Sequence, residues 1–355
     1  MKSEKIGIIK FFEKDKNFGF IKSDHGELFF RKNDAKGVKL EKNEVVTFKI
    51  EQNKKGECAI NIKSKNFFIV NEVYKTVKKS YKDKDFIENF SLKFHKYIPS
   101  LGDDKTKFAK LMTKFDFNKM RYLLPKNQKE TYESCGFEIS EQNLKVDSRL
   151  AVGLGNPSVY ETSMTLHHIY GVPYIPGSAL KGVCRNYFVN EISEYCNPKN
   201  KKIEKIEEEL LAGSYKDNEN IQNAYTFIFG TQEKQGKVTF FDSFPVGKIS
   251  LKADIMTPHY SKYYDGSEPP ADYLSPTPIP FLTVENTKFK IMSGIKKKDI
   301  EDWQKISCKN DEIGFLNEEK PKKVVKELIK KALTEHGIGA KTAVGYGYFT
   351  KKSKG

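Results

Sequence analysis

Arginine and cysteine are scarce in this chain of 355 residues. Four of its 62 basic residues are arginines and all the others are lysines. The five cysteines are scattered without a C-x-x-C pair, which argues against a zinc site or a disulfide framework. Apolar runs are short: none approaches the roughly 18 residues of a membrane span, and the opening MKSEKIGIIKFFEK lacks the apolar stretch of a signal peptide. We therefore expect a reduced, cytoplasmic protein without a metal, a cofactor or membrane contact.

Basic charge is abundant instead, with a formal net charge of +15 and a pI near 9.2. Such a balance suits a polyanionic partner, although a lysine excess can also reflect genome composition or solubility. The few arginines are more informative, because a guanidinium offers a planar fork for phosphate and stacks on bases. Three of them, Arg31, Arg149 and Arg185, lie inside or beside the motifs described below.

The first part of the chain, residues 1–63, is predicted to be a small β-barrel. Strand-like segments alternate with turn signals such as DKN (15–17) and NKKG (53–56). Five short strands that close on themselves within one small domain are typical of an OB-type barrel. Residues 64–85 are lysine-rich and indicate a basic linker.

The remainder, residues 86–355, alternates helical and strand patterns as in a β-α-β-β-α-β ferredoxin-like (RRM-like) unit. Polar or loop-like stretches near 193–223 and 257–280 indicate insertions. The overall fold class is thus α+β, a barrel followed by a ferredoxin-like core. The main predicted elements are a strand at 144–155, a helix at 177–192 with Ser178 as N-cap, paired strands at 236–246 and 248–256, a strand at 287–295, a helix at 321–337 and a terminal strand. The periodicity of the helix at 177–192 predicts one apolar face, made of Leu180, Val183, Cys184, Tyr187, Phe188 and Ile192.

The barrel segment carries an aromatic motif, KFF-(x)5-FGFIK-(x)6-LFFRKND. Side chains alternate along a strand, so Phe18 and Phe20 project to one face, which Phe11 and Phe29 can join. Bases stack on such rings with little sequence preference. The basic residues expected to surround the rings are Lys10, Lys22 and Arg31.

Residues 5–63 resemble a cold-shock domain through K-[aromatic]-F, K-x-F-G-F-I and the aromatic strand that follows. The resemblance implies a five-stranded barrel that binds single-stranded RNA or DNA through the aromatic rings. Phe11 stands where the family has tryptophan, and Arg31 and Lys32 replace a histidine and an aromatic residue. We therefore expect a more electrostatic and less stacked face. A docking module whose phenylalanines meet protein is the alternative.

A second pattern is split between YETSMTLHHIYGVPYIPGSALKGVCR (160–185) and GIGAKTAVGYGYF (337–349). Free amides at the start of the predicted helix, near Ser178, suit a phosphate, and Lys181 and Arg185 lie one turn apart. Glycines let a backbone approach a phosphodiester closely. The glycine-rich segment offers Gly337, Gly339, Lys341, Gly345 and Gly347.

This combination resembles the RAMP superfamily of CRISPR proteins over roughly residues 86–350, and more narrowly the sixth-subunit family of type III-B (Cmr) effector complexes. The resemblance implies a non-catalytic subunit that binds the guide RNA near its 3′ end and caps the backbone filament in antiviral defence. The implied partners are the guide RNA, its complementary target RNA, the repeated backbone RAMP subunit, the small helical subunit and the terminal RAMP subunit.

His167 and His168 invite a different interpretation, since histidine is a good general acid or base near neutral pH. Adjacent strand residues point to opposite faces, so we expect no catalytic pair there, and RNA contact or packing instead. Two other functions stay open at this point: a RAMP-type endoribonuclease acting on guide or target RNA, and a free-standing cold-shock RNA chaperone.

Overall fold

The computed structural model describes residues 5–23, 26–35, 37–38, 40–42, 44–53, 56–64, 88–95, 109–110, 112–121, 124, 127–158, 161–196, 199–257, 266, 278–306 and 313–350. The chain divides into two compact units. One comprises Met1–Phe86 and Pro99–Asp104, and the other comprises Ile87–Ile98 and Lys105–Gly355. The linker predicted at 64–85 and the insertion predicted at 257–280 lie mostly outside the described residues.

The first unit contains a closed five-stranded barrel, which confirms the predicted fold. Its strands are β1 (Lys5–Glu13), β2 (Phe18–Ser23), β3 (Gly26–Arg31), β4 (Val45–Asn53) and β5 (Gly56–Ser64). They follow the order β1-β2-β3-β5-β4, in which only the β3–β5 pair is parallel. Alternate residues fill the interior, and the fully buried side chains of this core are those of Ile9, Ile21, Phe30, Val46, Phe48 and Ala59.

A β-bulge in β1 decides which face Phe11 occupies. Ile9 pairs with Ile21, and Phe11 then pairs with Phe20, so the register shifts between them. Strict alternation from the buried Ile9 would have turned Phe11 inward. The extra residue instead leaves Lys10 and Phe11 both exposed, and Phe12 returns to pack against the core.

The second unit is built on a sheet of order β13-β6-β12-β8, with β9 also paired to β12. Numbered along the chain, this is the 4-1-3-2 order of a β-α-β-β-α-β unit, and all its pairs are antiparallel. The strands are β6 (Phe137–Val146), β8 (Val238–Phe240), β9 (Phe244–Val246), β12 (Lys288–Lys296) and β13 (Phe349–Thr350). A separate sheet of order β10-β11-β7 is formed by Ser250–Met256, Ile279–Glu285 and Arg149–Leu150.

Two long helices pack with this unit. Helix α4 (Gly177–Tyr195) buries the face predicted from its periodicity, including Leu180, Cys184 and Phe188. Helix α8 (Pro321–Lys331) begins at a proline, packs on β6 and β12, and continues into a π-helical turn, Ala332–His336. The other helices are α1 (Phe90–His95), α2 (Asn118–Arg121), α3 (Gln128–Ser134), α5 (Ile203–Ala212), α6 (Glu219–Phe229) and α7 (Ile300–Gln304).

Two strand predictions were wrong. The strand placed at 144–155 begins earlier, as β6, and the chain then leaves that sheet to form the short β7. The strands expected to pair with one another, 236–246 and 248–256, lie in different sheets: β8 and β9 pair with β12, whereas β10 pairs with β11. Gly247, between β9 and β10, takes a φ of +81°. The polar stretch at 193–223 contains α5, which buries Ile206 and Leu210.

Candidate nucleic-acid interface

The barrel carries four phenylalanine rings in mutual contact on its outer face. The centroids of Phe11 and Phe20 are 5.5 Å apart, those of Phe18 and Phe29 are 5.7 Å apart and nearly parallel, and those of Phe20 and Phe29 are 5.8 Å apart. Phe11 is the most open of the four at 39% exposure. The structure thus brings together the rings predicted from the sequence, and we call this group the phenylalanine platform.

The cations around the platform are unevenly available. Lys10 forms an ion pair of 2.5 Å with Glu27, a partner that the sequence interpretation missed. Lys22 is exposed and lies opposite the same glutamate in the register of β2 and β3. Arg31 is exposed at the end of β3, opposite Phe18. Surface ion pairs contribute little to stability, so the main effect of Glu27 is to reduce the local positive charge.

An open groove of about 700 Å³ adjoins the platform and shares the rings of Phe18 and Phe29 with it. Its lining includes Lys16, Arg31 and Lys32 but no acidic residue among the described ones. Lys16 was not predicted to lie here, and Lys32 was noted only as a departure from the cold-shock pattern. The DKN turn that carries Lys16 was visible in the sequence, but the position of that turn beside the groove depends on barrel closure.

The glycine-rich segment 337–347 forms a loop with left-handed backbone at Gly337, Gly339, Gly345, Gly347 and also Lys341. The loop is bonded to the chain after β6: the Ala340 amide donates to the Ala151 carbonyl at 2.7 Å, and the Gly347 amide donates to the Arg149 carbonyl at 2.7 Å.

Protein contacts explain two of these glycines. A Cβ at Gly339 would lie 2.3 Å from the Ala151 oxygen, and one at Gly347 would lie 2.0 Å from the Ile338 oxygen. Gly345 differs, since a Cβ there would have no described atom within 4 Å. The glycines at 339 and 347 therefore serve close packing within the protein, and Gly345 presents the open stretch of loop backbone.

Arg149 is engaged within the protein. Its guanidinium pairs with Asp254, which also accepts a hydrogen bond from the Tyr346 hydroxyl. Burial alone would raise the pKa of Asp254, but hydrogen bonds from Tyr346, the Ile255 amide and Arg149 outweigh it and lower the pKa. Lys341 lies with its Nζ 5.4 Å above the Phe281 ring. Both predicted cations thus have protein partners at the edge of the loop.

The start of α4 differs from the prediction that Ser178 is its N-cap. The helix begins at Gly177, and its N-cap is Pro176, which offers no side-chain bond. The Gly177 amide donates to the Oδ1 of Asp242 at 2.8 Å. A carboxylate from the β8–β9 connection therefore takes part of the anion position expected for a phosphate, and Ser178 is exposed beside it.

Lys181 and Arg185 lie on one partly buried face of α4. Burial, and then the neighbouring Arg185, lower the pKa of Lys181. Arg185 is 3.3 Å from Glu207 of α5, so only part of its charge is balanced within the protein. Two neighbouring cations and one carboxylate leave an excess of positive charge on this face of α4, which a phosphate would balance.

His167 and His168 do not point to opposite faces as expected, because they lie in a turn and not in a strand. Their rings are nearly parallel, with centroids 5.2 Å apart. The Nδ1 of His167 accepts the Tyr170 amide at 3.3 Å. Burial, followed by the adjacent His168, lowers the pKa of His167, which favours the neutral ring near pH 7.

None of the helices in the described ranges combines the length and apolar character that a membrane span requires. In the same part of the chain, His, Cys, Asp and Glu side chains form no group of three or more that could hold a metal ion.

Comparison with known proteins gives two family matches. Residues 143–350 match the family model of the RAMP superfamily, and residues 5–65 match that of the "Cold-shock" DNA-binding domain. The two matches fall on the ferredoxin-like unit and on the barrel, respectively.

Individual relatives agree with the first match. The chain is 36% identical over 244 residues to the CRISPR system Cmr subunit Cmr6 of Pyrococcus furiosus, covering 57% of this chain and 65% of that protein. It is 24% identical over 229 residues to the CMR subunit Cmr6 of Saccharolobus solfataricus, covering 63% and 61%. The chain thus spans a little under two thirds of each relative's length.

Among solved structures, a chain in a type III-B Cmr-beta complex bound to cognate target RNA aligns with a TM-score of 0.46 and 22% identity, over 69% of this chain and 70% of that one. A likeness at this level is too weak to support an assignment.

Proposed function

Because the chain belongs to the RAMP superfamily and is 36% identical to a Cmr6 subunit, we propose that it is a subunit of a type III-B CRISPR effector that binds the guide RNA. The similarity to that subunit is the observation that carries the proposal. In this role the ferredoxin-like unit holds the guide near its 3′ end and caps the filament of backbone subunits. Its partners are the guide, the complementary target RNA and the other subunits of the effector.

The cations of α4 support RNA contact in the ferredoxin-like unit. Lys181 is partly buried beside Arg185, an arrangement that disfavours the charge of the lysine unless an anion lies close. A phosphodiester supplies that anion, and a guanidinium binds it through two parallel hydrogen bonds. Ser178, which is exposed, lies on the same helix within its first turn.

The barrel supports a second contact to single-stranded RNA. The phenylalanine platform and the basic groove share two rings, so a strand that stacks on the rings runs directly beside Lys16, Arg31 and Lys32. This combination of aromatic stacking and a cationic track is the usual basis of sequence-tolerant single-strand binding. We place the 3′ extension of the guide, or the target RNA emerging beyond the paired segment, on this surface.

The geometry of the histidines supports a role without catalysis. General acid–base cleavage of RNA needs two groups that reach opposite sides of the scissile phosphate. The rings of His167 and His168 lie side by side and nearly parallel, and the His167 Nδ1 already accepts a hydrogen bond from the Tyr170 amide. We therefore assign target cleavage to another subunit of the effector.

The test is a tagged purification from the native host, with sequencing of bound RNA and mass spectrometry of co-purifying proteins. Short RNAs that share a uniform 5′ repeat tag, together with several stoichiometric proteins, are expected. Heterogeneous cellular RNA without partners would instead indicate a free-standing RNA chaperone. Footprinting of the guide 3′ end with Phe11→Ala in the full chain tests the barrel separately, since loss of protection confined to that end is expected.

A further inference from the structure

Three rings beside the start of α4 form a continuous stack that the proposed function does not use. The order is His168, His167, Tyr170. The centroids of His167 and His168 are 5.2 Å apart with planes 15° from parallel, and those of His167 and Tyr170 are 4.5 Å apart at 17°. His168 is exposed at one end of this stack, which we call the ring ladder.

The ring ladder is held in place before any ligand arrives. The edges of Tyr174 and Phe244 meet His167, with centroids 5.3 Å away in each case. The turn itself is closed by the Gly171 amide, which donates to the His167 carbonyl at 2.7 Å. Asn89 donates to the carbonyls of His168 and Ile169, each at 3.0 Å. A rigid stack with a free end binds a further ring at a lower entropic penalty than a mobile one does.

A carboxylate lies next to the ring ladder. Asp242 is exposed, and its charge acts on His167 and, after burial, helps to raise the pKa of Tyr132 and Tyr174. Its Oδ1 accepts the Gly177 amide, and its Oδ2 has no hydrogen-bond partner among the described residues. A carboxylate only accepts hydrogen bonds, so the free oxygen can bind a ligand group that donates one.

Lys181 supplies the remaining element. Gly177 and Lys181 are four residues apart on α4, so they share a face and are separated by about 6 Å along the axis, slightly more than one turn. The Gly177 amide donates to Asp242, so the carboxylate lies at the first turn of α4 and Lys181 follows in the next turn. This spacing suits a nucleotide with its base toward the carboxylate and its phosphate on the lysine.

We infer that the ring ladder and Asp242 form a binding site for one unstacked base of single-stranded RNA. The base extends the stack on the exposed face of His168, and an exocyclic amino group donates to the Oδ2 of Asp242. Adenine, cytosine and guanine carry such a group. The only donor on the base-pairing edge of uracil, N3–H, lies between two carbonyl oxygens that repel a carboxylate, so the site disfavours uracil. The inference rests on the proposed function in that the ligand is RNA, and it adds a base-reading site apart from the barrel.

Cross-linking localises this site in the full chain. Residues 150–181 contain no lysine or arginine before Lys181, so trypsin releases the ring-ladder residues in one peptide. The protein is irradiated at increasing concentrations of 12-nucleotide oligo(rC), oligo(rA) or oligo(rU), and cross-links on this peptide are quantified. The midpoint of the titration, not its yield, is the readout, since Tyr170 and Tyr174 remain photoreactive in the variants.

His168→Ala is expected to raise the midpoint about fivefold or more, the loss of one stacked base. His168→Phe restores it, because a phenyl ring retains the stacking face and removes only the imidazole nitrogens. Ile169→Ala is the matched control: Ile169 lies in the same turn and is 62% exposed but has no ring, so the midpoint stays within twofold. Asp242→Asn, which retains an acceptor for Gly177, removes the preference of the peptide for oligo(rC) and oligo(rA) over oligo(rU).

An unchanged midpoint in His168→Ala, or a failure of phenylalanine to restore it, overturns the stacking site. RNA cleavage that His168→Ala abolishes also overturns it, in favour of acid–base chemistry. Cross-links on barrel peptides without any on 150–181 would reject the ring-ladder site and leave the proposed function standing. If the tagged protein also recovers no guide RNA, the proposed function itself fails.

Discussion

Arg149 in β7 lies against Asp254 in β10. Asp254 also accepts a hydrogen bond from the Tyr346 hydroxyl of the glycine-rich loop. One carboxylate thus fixes the relative positions of three segments that are distant in sequence. The lowered pKa of Asp254 shows that these contacts stabilise its charged form more than burial destabilises it.

Asp254→Asn is expected to lower the free energy of unfolding at pH 7 by about 1–3 kcal/mol, as for other hydrogen bonds to a charged group. The native pKa lies below the unfolded value, so this stabilisation is present above the unfolded pKa and disappears as the pH falls through the native one. The difference in stability between wild type and variant should therefore become smaller as the pH falls. Urea unfolding at pH 7 and pH 3 measures this, because the single tryptophan, Trp303, is buried in the same unit.

Asp302→Asn is the matched control for this prediction. Asp302 pairs with Lys305 at 3.3 Å, but both side chains are largely exposed, so its removal is expected to change stability by less than about 0.5 kcal/mol. An equal effect of the two substitutions at pH 7 would show that the contacts of Asp254 contribute no more than a surface pair.

Gly339 and Gly345 provide a second comparison within the loop. Both have left-handed backbones, with φ of +96° and +91°, so alanine is strained by about 1–2 kcal/mol at either position. At Gly339 the added Cβ would also lie 2.3 Å from the Ala151 oxygen, whereas at Gly345 it meets open space. Gly339→Ala is therefore expected to destabilise the unit clearly more than Gly345→Ala, measured by urea unfolding with Trp303 fluorescence. Equal losses would mean that the loop relaxes away from Ala151.

Local patterns in the sequence predicted much of the fold. Alternation and turn residues predicted the five barrel strands, and periodicity predicted the buried face of α4, because both depend on neighbours a few residues away. The position of β6 and the partner of β10 were missed, since both depend on pairing across long stretches of chain. The bulge that exposes Phe11 could not be predicted from the alternation of residues, because it is a register shift in the pairing of β1 with β2.

The candidate site shows the same division. The phenylalanine platform and the glycine-rich loop could be identified from residue types at fixed spacing. The acidic partners could not: Glu27 beside Lys10, Glu207 beside Arg185 and Asp254 beside Arg149 are brought together only by the tertiary fold. The stacking of His167 on His168 was missed because a turn, and not the expected strand, carries them.

Phe11→Ala tests the platform where it is most open. Because Phe11 is 39% exposed, its removal should leave the barrel folded while weakening single-stranded RNA binding about fivefold or more. The readout is the midpoint of RNA cross-linking on tryptic peptide 17–22, which carries Phe18 and Phe20. Ile8→Ala is the control, since Ile8 lies on the same strand at 42% exposure but offers no ring. If both variants behave alike, the face binds through apolar area or to protein, and not through stacked bases.

Lys181→Ala tests whether α4 contacts a phosphate. Burial and Arg185 lower the pKa of Lys181, so a bound phosphate would relieve the repulsion between the two cations. Loss of one phosphate contact is expected to weaken guide-RNA binding and to reduce the slope of log affinity against log salt by about 0.7, the value for a single strand. The measurement is a salt titration of binding by the full chain.

Two further variants make the test of α4 specific. Lys205→Ala removes an exposed lysine that pairs with Glu208 on α5, and it is expected to leave the salt slope unchanged. Glu207→Gln removes the carboxylate that pairs with Arg185 and should strengthen RNA binding, because the guanidinium can then bind a phosphate without losing an ion pair. A slope that falls equally in Lys181→Ala and Lys205→Ala would mean that net charge alone attracts the RNA. A slope that changes only for Lys181, with a gain in Glu207→Gln, would establish this face of α4 as a phosphate contact.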